Sequence, residues 1–257
     1  MTRDVQGLSI LLVATAALIA GTAAPACADP PEVIEFAETA IFFEFNSTDN
    51  DLGIQIFFDA DGWERARVTG PDGKVFDVDN GAALKDIGST EVFTESAEPE
   101  LCPEEEGACD LQAAIDDFLM MFPEGEYEFT GRTIEGDWLE GDATLSWGLP
   151  DPVEIIDAEG NFPTIAWTDS DGIEVVAYQV VAEMVAEDDE GEELLYVQAT
   201  DVPADITSID TSPQFAQLAQ DLMDDESLLE LKVEIIAVGA NGNKTITEEA
   251  LFEAEEE

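Results

Sequence analysis

Apolar residues in this chain recur at every second position, segment after segment, between small clusters of Asp, Gly, Asn and Pro. Ile41, Phe43 and Phe45 fall on one side of an extended segment, and Ile54, Ile56 and Phe58 on one side of the next. A period of two with this punctuation specifies half-buried strands joined by tight turns. Asp59-Ala60-Asp61-Gly62 is expected to turn the chain. Trp63–Thr69 and Lys74–Asp79 then flank Gly70-Pro71-Asp72-Gly73, where Pro-Asp-Gly gives the turn a mechanism. Val92-Phe93 marks another short strand.

Two segments break the pattern with a helical period. Asp110 is the expected N-cap of a helix whose face carries Leu111, Ile115, Phe118, Leu119 and Phe122, stopped by Pro123 and Gly125. Tyr127 and Phe129 then point inward on a strand that returns through Glu135-Gly136-Asp137 as Ala143, Leu145 and Trp147. In the second half, strands are expected at Thr164–Trp167, Val175–Met184, Glu193–Thr200 and Ile206–Asp210. Ser212 caps a helix with Pro213 at its first position and a stripe of Phe215, Leu218, Ala219 and Leu222. Leu229–Val238 and Lys244–Phe252 close the chain around Asn241-Gly242-Asn243. Gly148-Leu149-Pro150-Asp151-Pro152 reads as a linker. The expected fold class is all-β, with two tandem antiparallel β-sandwich domains over residues 29–149 and 150–257, each with one short inserted helix.

Acidic residues number 61 against 8 basic ones in 257, with no histidine, for a formal net charge of -53. The carboxylates run through every segment. Self-repulsion on that scale opposes a compact state at low ionic strength. It is screened over about 8 Å at ~0.15 M salt and about 3 Å near 1 M. Such a surface suits an exported, halophile-type protein. It excludes nucleic acid as a partner, because scattered basic residues cannot neutralise a phosphate backbone. The absence of histidine also removes Ser-His-Asp and Cys-His chemistry and His-ligated zinc or haem.

Residues 1–28 read as a secretory signal: a short start with Arg3, an apolar run at Leu8–Ala20, and the A-x-A sites Ala24-Pro25-Ala26 and Ala26-Cys27-Ala28. As a helix the run spans about 20 Å, short of the ~30 Å bilayer core, so no membrane span is expected. Lipidation of Cys27 is the alternative, an envelope lipoprotein with a lipid anchor. Cleavage after Ala28 leaves Cys102 and Cys109, an even pair expected to form a disulfide in the periplasm or outside the cell.

Ile165-Ala166-Trp167, Val176-Ala177-Tyr178-Gln179-Val180-Val181 and Val233–Asn243 together resemble fibronectin type III modules. Those modules place a core Trp on the second strand, a Tyr on the third, and a V-x-A-x-N-x-x-G-like run before the last hairpin. The resemblance covers about 151–257, and Leu231 stands where the family has its corner tyrosine. Pro123-Glu124-Gly125-Glu126-Tyr127-Glu128-Phe129 is similar to the approach to the last hairpin in immunoglobulin-like folds. Trp147, Trp167, Tyr127 and Tyr178 are thus the expected structural core. Trp63 and Trp138 lie near turns, where a ring on the surface would suit carbohydrate.

What this resemblance implies is a non-catalytic exported binding or spacer protein, with a protein or glycan as its unidentified ligand. Two alternatives stand beside it: a calcium-stabilised adhesion or carbohydrate-binding module, and a secreted hydrolase working through carboxylates. For Ca²⁺, the densest oxygen-bearing groups are Asp49 and Asp51, Asp59 and Asp61, and Asp169, Asp171 and Glu174. None has EF-hand spacing, and Asp/Gly clusters are also ordinary turn punctuation.

Overall fold

A computed structural model describes residues 30–103, 109–156, 162–187, 193–225 and 227–254; the expected signal segment and Cys27 lie outside them. The described residues are mostly β, 57% in strands and 12% helical. The first half holds β1 (Val33–Glu35), β2 (Glu38–Asn46), β3 (Asp51–Gly70), β4 (Gly73–Asp79), β5 (Ser89–Glu95), α1 (Leu111–Leu119), β6 (Gly125–Thr133) and β7 (Trp138–Leu145). The second holds β8 (Thr164–Ala166), β9 (Val175–Glu187), β10 (Glu193–Pro203), β11 (Ser208–Asp210), α2 (Pro213–Asp224), β12 (Leu228–Gly239) and β13 (Lys244–Glu253).

One sheet of 11 strands runs through both halves in the order β1-β7-β6-β3-β2-β13-β12-β9-β10, with β4 and β5 added to β3. Most neighbours are antiparallel. The parallel exceptions are β1 with β7 and β13 with β2, each over three residue pairs. The β13–β2 pairing sets Lys244 beside Glu44, Thr245 beside Phe45 and Ile246 beside Asn46. It joins the two halves through backbone hydrogen bonds. A second sheet, β8 with β11, packs over the far core.

The turn expected at Asp59–Gly62 is corrected by the structure. β3 runs unbroken for 20 residues, pairing with β2 and β5 in its first part and with β4 and β6 in its second. Ala60 and Trp63 are both buried, so the apolar pattern keeps the strand extended through the Asp/Gly cluster. The surplus is absorbed as a bulge: the register against β5 slips between Asp59 and Trp63, with Gly62 at φ 60°. Burial overrides turn chemistry here.

Two apolar clusters fill the molecule. Phe43, Phe58, Trp63, Tyr127 and Phe129 dominate the first, where Phe58 meets Trp63 edge-on at 5.6 Å and Phe129 at 6.2 Å. Trp167, Tyr178, Met184, Leu231, Val233 and Ile235 dominate the second, with Trp167 edge-on to Tyr178 at 5.5 Å. α1 is capped by Asp110, whose Oδ1 accepts from the Ala113 N–H at 3.3 Å, and turns Ile115, Phe118 and Leu119 into the first cluster. It ends one turn before Phe122, which still packs on that cluster. α2 is capped by Ser212, whose Oγ accepts from the Phe215 N–H at 3.2 Å. Both helices precede the last strand pair of their half.

Tyr127 closes the first cluster at its end. Its hydroxyl donates to the Pro123 carbonyl at 3.0 Å, and its ring lies so close over Gly70 that a Cβ there would collide with it. Burial holds the phenol above its ordinary value. Cys102 and Cys109 are joined by a disulfide, with their Cα atoms 5.6 Å apart.

Candidate functional site

Strand alternation dictates where the carboxylates gather. Phe43 and Phe45 of β2 face the core, so Glu44 faces outward; Ile54 and Ile56 of β3 face the core, so Gln55 shares the outer face with Glu44. β5 runs along β3 with Glu95 opposite Gln55. The Gln55 amide is buried and donates to Glu44 Oε1 at 2.7 Å and to Glu95 Oε1 at 2.8 Å. Beyond the end of β5, Glu98 folds back over Gly53, where a Cβ would come within 2.8 Å of its Cγ. Among the described residues, Glu44, Glu95 and Glu98 are the three carboxylates whose oxygens lie within 4.8 Å of one another.

Such crowding changes protonation. Glu98 is pushed up to about 7, first because its carboxyl end loses water, then by the charge of Glu95 and a hydrogen bond with it, with Asp51 and Glu44 adding repulsion. The residue as a whole remains exposed, so solvent screens part of this effect. Asp51 is raised as well, by burial and then by Asp49, Glu248, Glu100 and Glu44. Two lysines supply the balance. Lys244 Nζ reaches Glu44 at 3.1 Å and lies 4.9 Å over the Phe42 ring. Lys232 draws in Glu234 at 2.9 Å, Glu248 at 3.1 Å and Glu183 at 3.8 Å. Partial burial alone would lower Lys232, but the hydrogen bonds to Glu234 and Glu248 prevail and raise it.

The acidic pairs named for Ca²⁺ stand apart along one strand pair. Asp49 and Asp51 sit at the β2–β3 turn, where Asp51 faces Asn46; Asp59 faces Glu38 at the other end of the same strand pair, and Asp61 is exposed within the bulge. Eight residues of strand at ~3.3 Å each separate Asp51 from Asp59 by about 26 Å, so these four do not share one cation. The chain does not turn at Asp59, which is the reason. Asp169, Asp171 and Glu174 do stay together, on the rim of a shallow recess of about 320 Å³ with Tyr178. The Glu44–Glu95–Glu98 group offers hard oxygens, but Lys244 and Gln55 already occupy part of them, and Ca²⁺ takes 6–8.

Tyr127, Trp167 and Tyr178 are buried, whereas Trp147 is half-buried with its Nε1 donating to the Phe122 carbonyl at 2.9 Å. Trp147 lines a recess of about 710 Å³ with Phe45, Ile115, Leu119 and Leu149. Trp63 is in the core. Trp138 is on the surface, with the Arg132 guanidinium 5.6 Å over its ring.

The segment read as a linker is hydrogen-bonded at Gly148, Pro150 and Asp151. Asn243 is fully buried: its Nδ2 donates to the carbonyls of Ser146 and Gly148, each at 2.7 Å, and its Oδ1 accepts from the Phe43 N–H at 2.9 Å. Asn241 Nδ2 donates to Ser146 Oγ and to the Gly148 carbonyl, both at 2.8 Å. Thr245 Oγ1, also buried, donates to the Pro150 carbonyl at 2.7 Å. In the sequence, Asn241-Gly242-Asn243 carries only hairpin-turn chemistry. Nothing local in it announces partners about a hundred residues upstream.

No protein-family model matches the chain, and no curated protein does. Solved structures that resemble it include a two-domain fibronectin type III segment of chicken tenascin, at 12% identity over 84% of this chain and 98% of that one, with a TM-score of 0.25. A bacterial ice-binding adhesin involved in host cell surface retention matches at 10% identity over 86% and 64%, TM-score 0.24. A tetra-tandem repeat from the extending region of a large adhesion protein matches at 14% over 83% and 50%, TM-score 0.16.

Proposed function

We propose that the chain is an exported, non-catalytic binding or spacer protein built of two sandwich units, 29–149 and 150–257, held in one fixed arrangement. The carrying observation is the buried clamp of Asn243, which fastens strand β2 of the first unit and the 146–150 segment to the last hairpin of the second. A tether between independent units needs no such satisfied, buried polar network. A spacer does, because its use lies in holding a distance.

The hydrolase alternative asks for two carboxylates flanking a cleft, at separations that leave room for substrate. Glu95 and Glu98 instead touch one another on an open strand face, and neither lines the recesses described above. The carbohydrate-platform alternative loses Trp63 to the core and one face of Trp138 to Arg132. Calcium enters the proposal at Asp169, Asp171 and Glu174, which share a recess.

Small-angle X-ray scattering on the full chain and on an Asn241→Ala/Asn243→Ala double variant tests the reading. The wild type should fit one rigid shape, and the variant a broader spread of dimensions at unchanged strand content. A wild type already broad in solution would remove the spacer.

A further inference from the structure

Strand β10 is an unprotected sheet edge, and we propose that it binds an extended segment of a partner protein by β-augmentation, a segment with alternating apolar residues and a basic residue at each end. Among the described residues β9 is the strand that pairs with β10, along one side, from Glu193 opposite Glu187 to Pro203 opposite Ala177. Among the described residues no segment hydrogen-bonds the backbone of its other side from Glu193 to Val202, whose free N–H and C=O groups an added strand would satisfy.

Edge strands are ordinarily blunted by lysine, proline, a bulge or short length. β10 has none of these along Leu194-Leu195-Tyr196-Val197-Gln198-Ala199-Thr200, which carries no charge although the chain as a whole carries 61 acidic residues. The register against β9 is unbroken over its 11 residues. Leu195 is 63% exposed and Val197 52%. The opposite terminal strand of the same sheet, β1, is only 3 residues long.

Charge selects the occupant. Glu187 and Glu193 face each other at one end of β10, and Asp201 stands at the other, about 26 Å away at ~3.3 Å per residue. Glu183 lies opposite Val197, and the lysine near it, Lys232, is already shared by three carboxylates. A second copy of this chain would set like charges against those ends. A strand with Lys or Arg eight residues apart and apolar side chains between them would complement both the ends and the middle.

The test uses the full chain and a blocked nine-residue peptide of alternating valine and threonine with a lysine at each end. Saturating peptide should slow amide exchange at least tenfold at every second residue of Leu194–Thr200, because alternate N–H groups point away from β9. The same peptide with glutamate ends should bind at least tenfold more weakly. Leu195→Asp/Val197→Asp, both at exposed positions, should lose binding while keeping the wild-type melting midpoint. Unchanged exchange in β10, protection confined to other strands, or concentration-dependent protection of β10 without peptide would each overturn the proposal, the last in favour of self-association.

Discussion

The side-chain oxygen of Asn243 accepts a hydrogen bond from the Phe43 backbone N–H at 2.9 Å, across 200 residues of chain, in full burial. Its amide meanwhile serves two carbonyls. Asn243→Ala leaves the Phe43 N–H and the Ser146 carbonyl without this partner, while Gly148 keeps its bond from Asn241, and each group so stranded costs about 1–3 kcal/mol. The variant should therefore lose about 3 kcal/mol or more in denaturant unfolding. Asn243→Asp should be no better at neutral pH, because an oxygen replaces the donor facing two carbonyls. It should recover partly in acid, where the carboxyl regains a proton. A wild-type midpoint for either variant would remove Asn243 as the fastening.

Glu98 gives the chain a stability that depends on pH. Its value in the fold, about 7, lies above its ordinary 4.5, so the folded state holds more protons than the unfolded one between those limits. Stability should fall as pH rises from about 4.5 to about 7 and level off beyond. Glu98→Gln keeps the shape and removes the charge. It should gain about 1 kcal/mol at pH 8, after allowance for screening at an exposed residue, and nothing near pH 4. Melts at both pH values decide, and an equal gain at the two would rule out the ionisation.

Tyr127 and Gly70 should fail in a fixed order. Tyr127→Phe removes one hydrogen bond to the Pro123 carbonyl and should cost about 1 kcal/mol. Gly70→Ala drives a methyl group into the Tyr127 ring and should cost more, about 1–3 kcal/mol of overpacking strain. A double cycle with Tyr127→Leu should recover most of the Gly70→Ala loss. Additive costs would mean the ring is not what excludes the methyl.

Salt should stabilise the chain, with the melting midpoint rising from low to near-molar NaCl as repulsion among carboxylates is screened. At constant ionic strength, Ca²⁺ should raise the midpoint more than Mg²⁺ if the recess of Asp169, Asp171 and Glu174 holds it, and equal increments would remove calcium from that loop. A rise specific to Ca²⁺ and lost in Asp171→Asn would assign a site to the Asp169–Glu174 loop. A midpoint indifferent to salt would contradict screening altogether.

Strands with strict alternation and capped helices were legible from sequence because their signals are local. The β6–β7 hairpin is written in Tyr127, Phe129 and Leu145 with a turn between; Asp110 and Ser212 announce the helices that follow them. The bulge in β3 was not legible, since Asp59–Gly62 has turn composition and only the burial of Ala60 and Trp63 shows the chain must continue. The outward position of Glu44 follows from alternation. Its meeting with Glu95 and Glu98 follows from β5 lying on β3, a pairing that no residue near Glu95 encodes. The parallel β2–β13 pair was out of reach for the same reason.

That parallel pair also sets a timetable. β2 is made about 200 residues before β13, yet each is the other's neighbour. Contacts so distant along the chain delay folding, because the loop must close before the pairing rewards it. Throughout synthesis the first half would carry β2 with one bare flank and Phe43 with an unanswered N–H. Only the arrival of the final hairpin covers both. The sheet is thus kept from completing itself until the second half of the chain has been made.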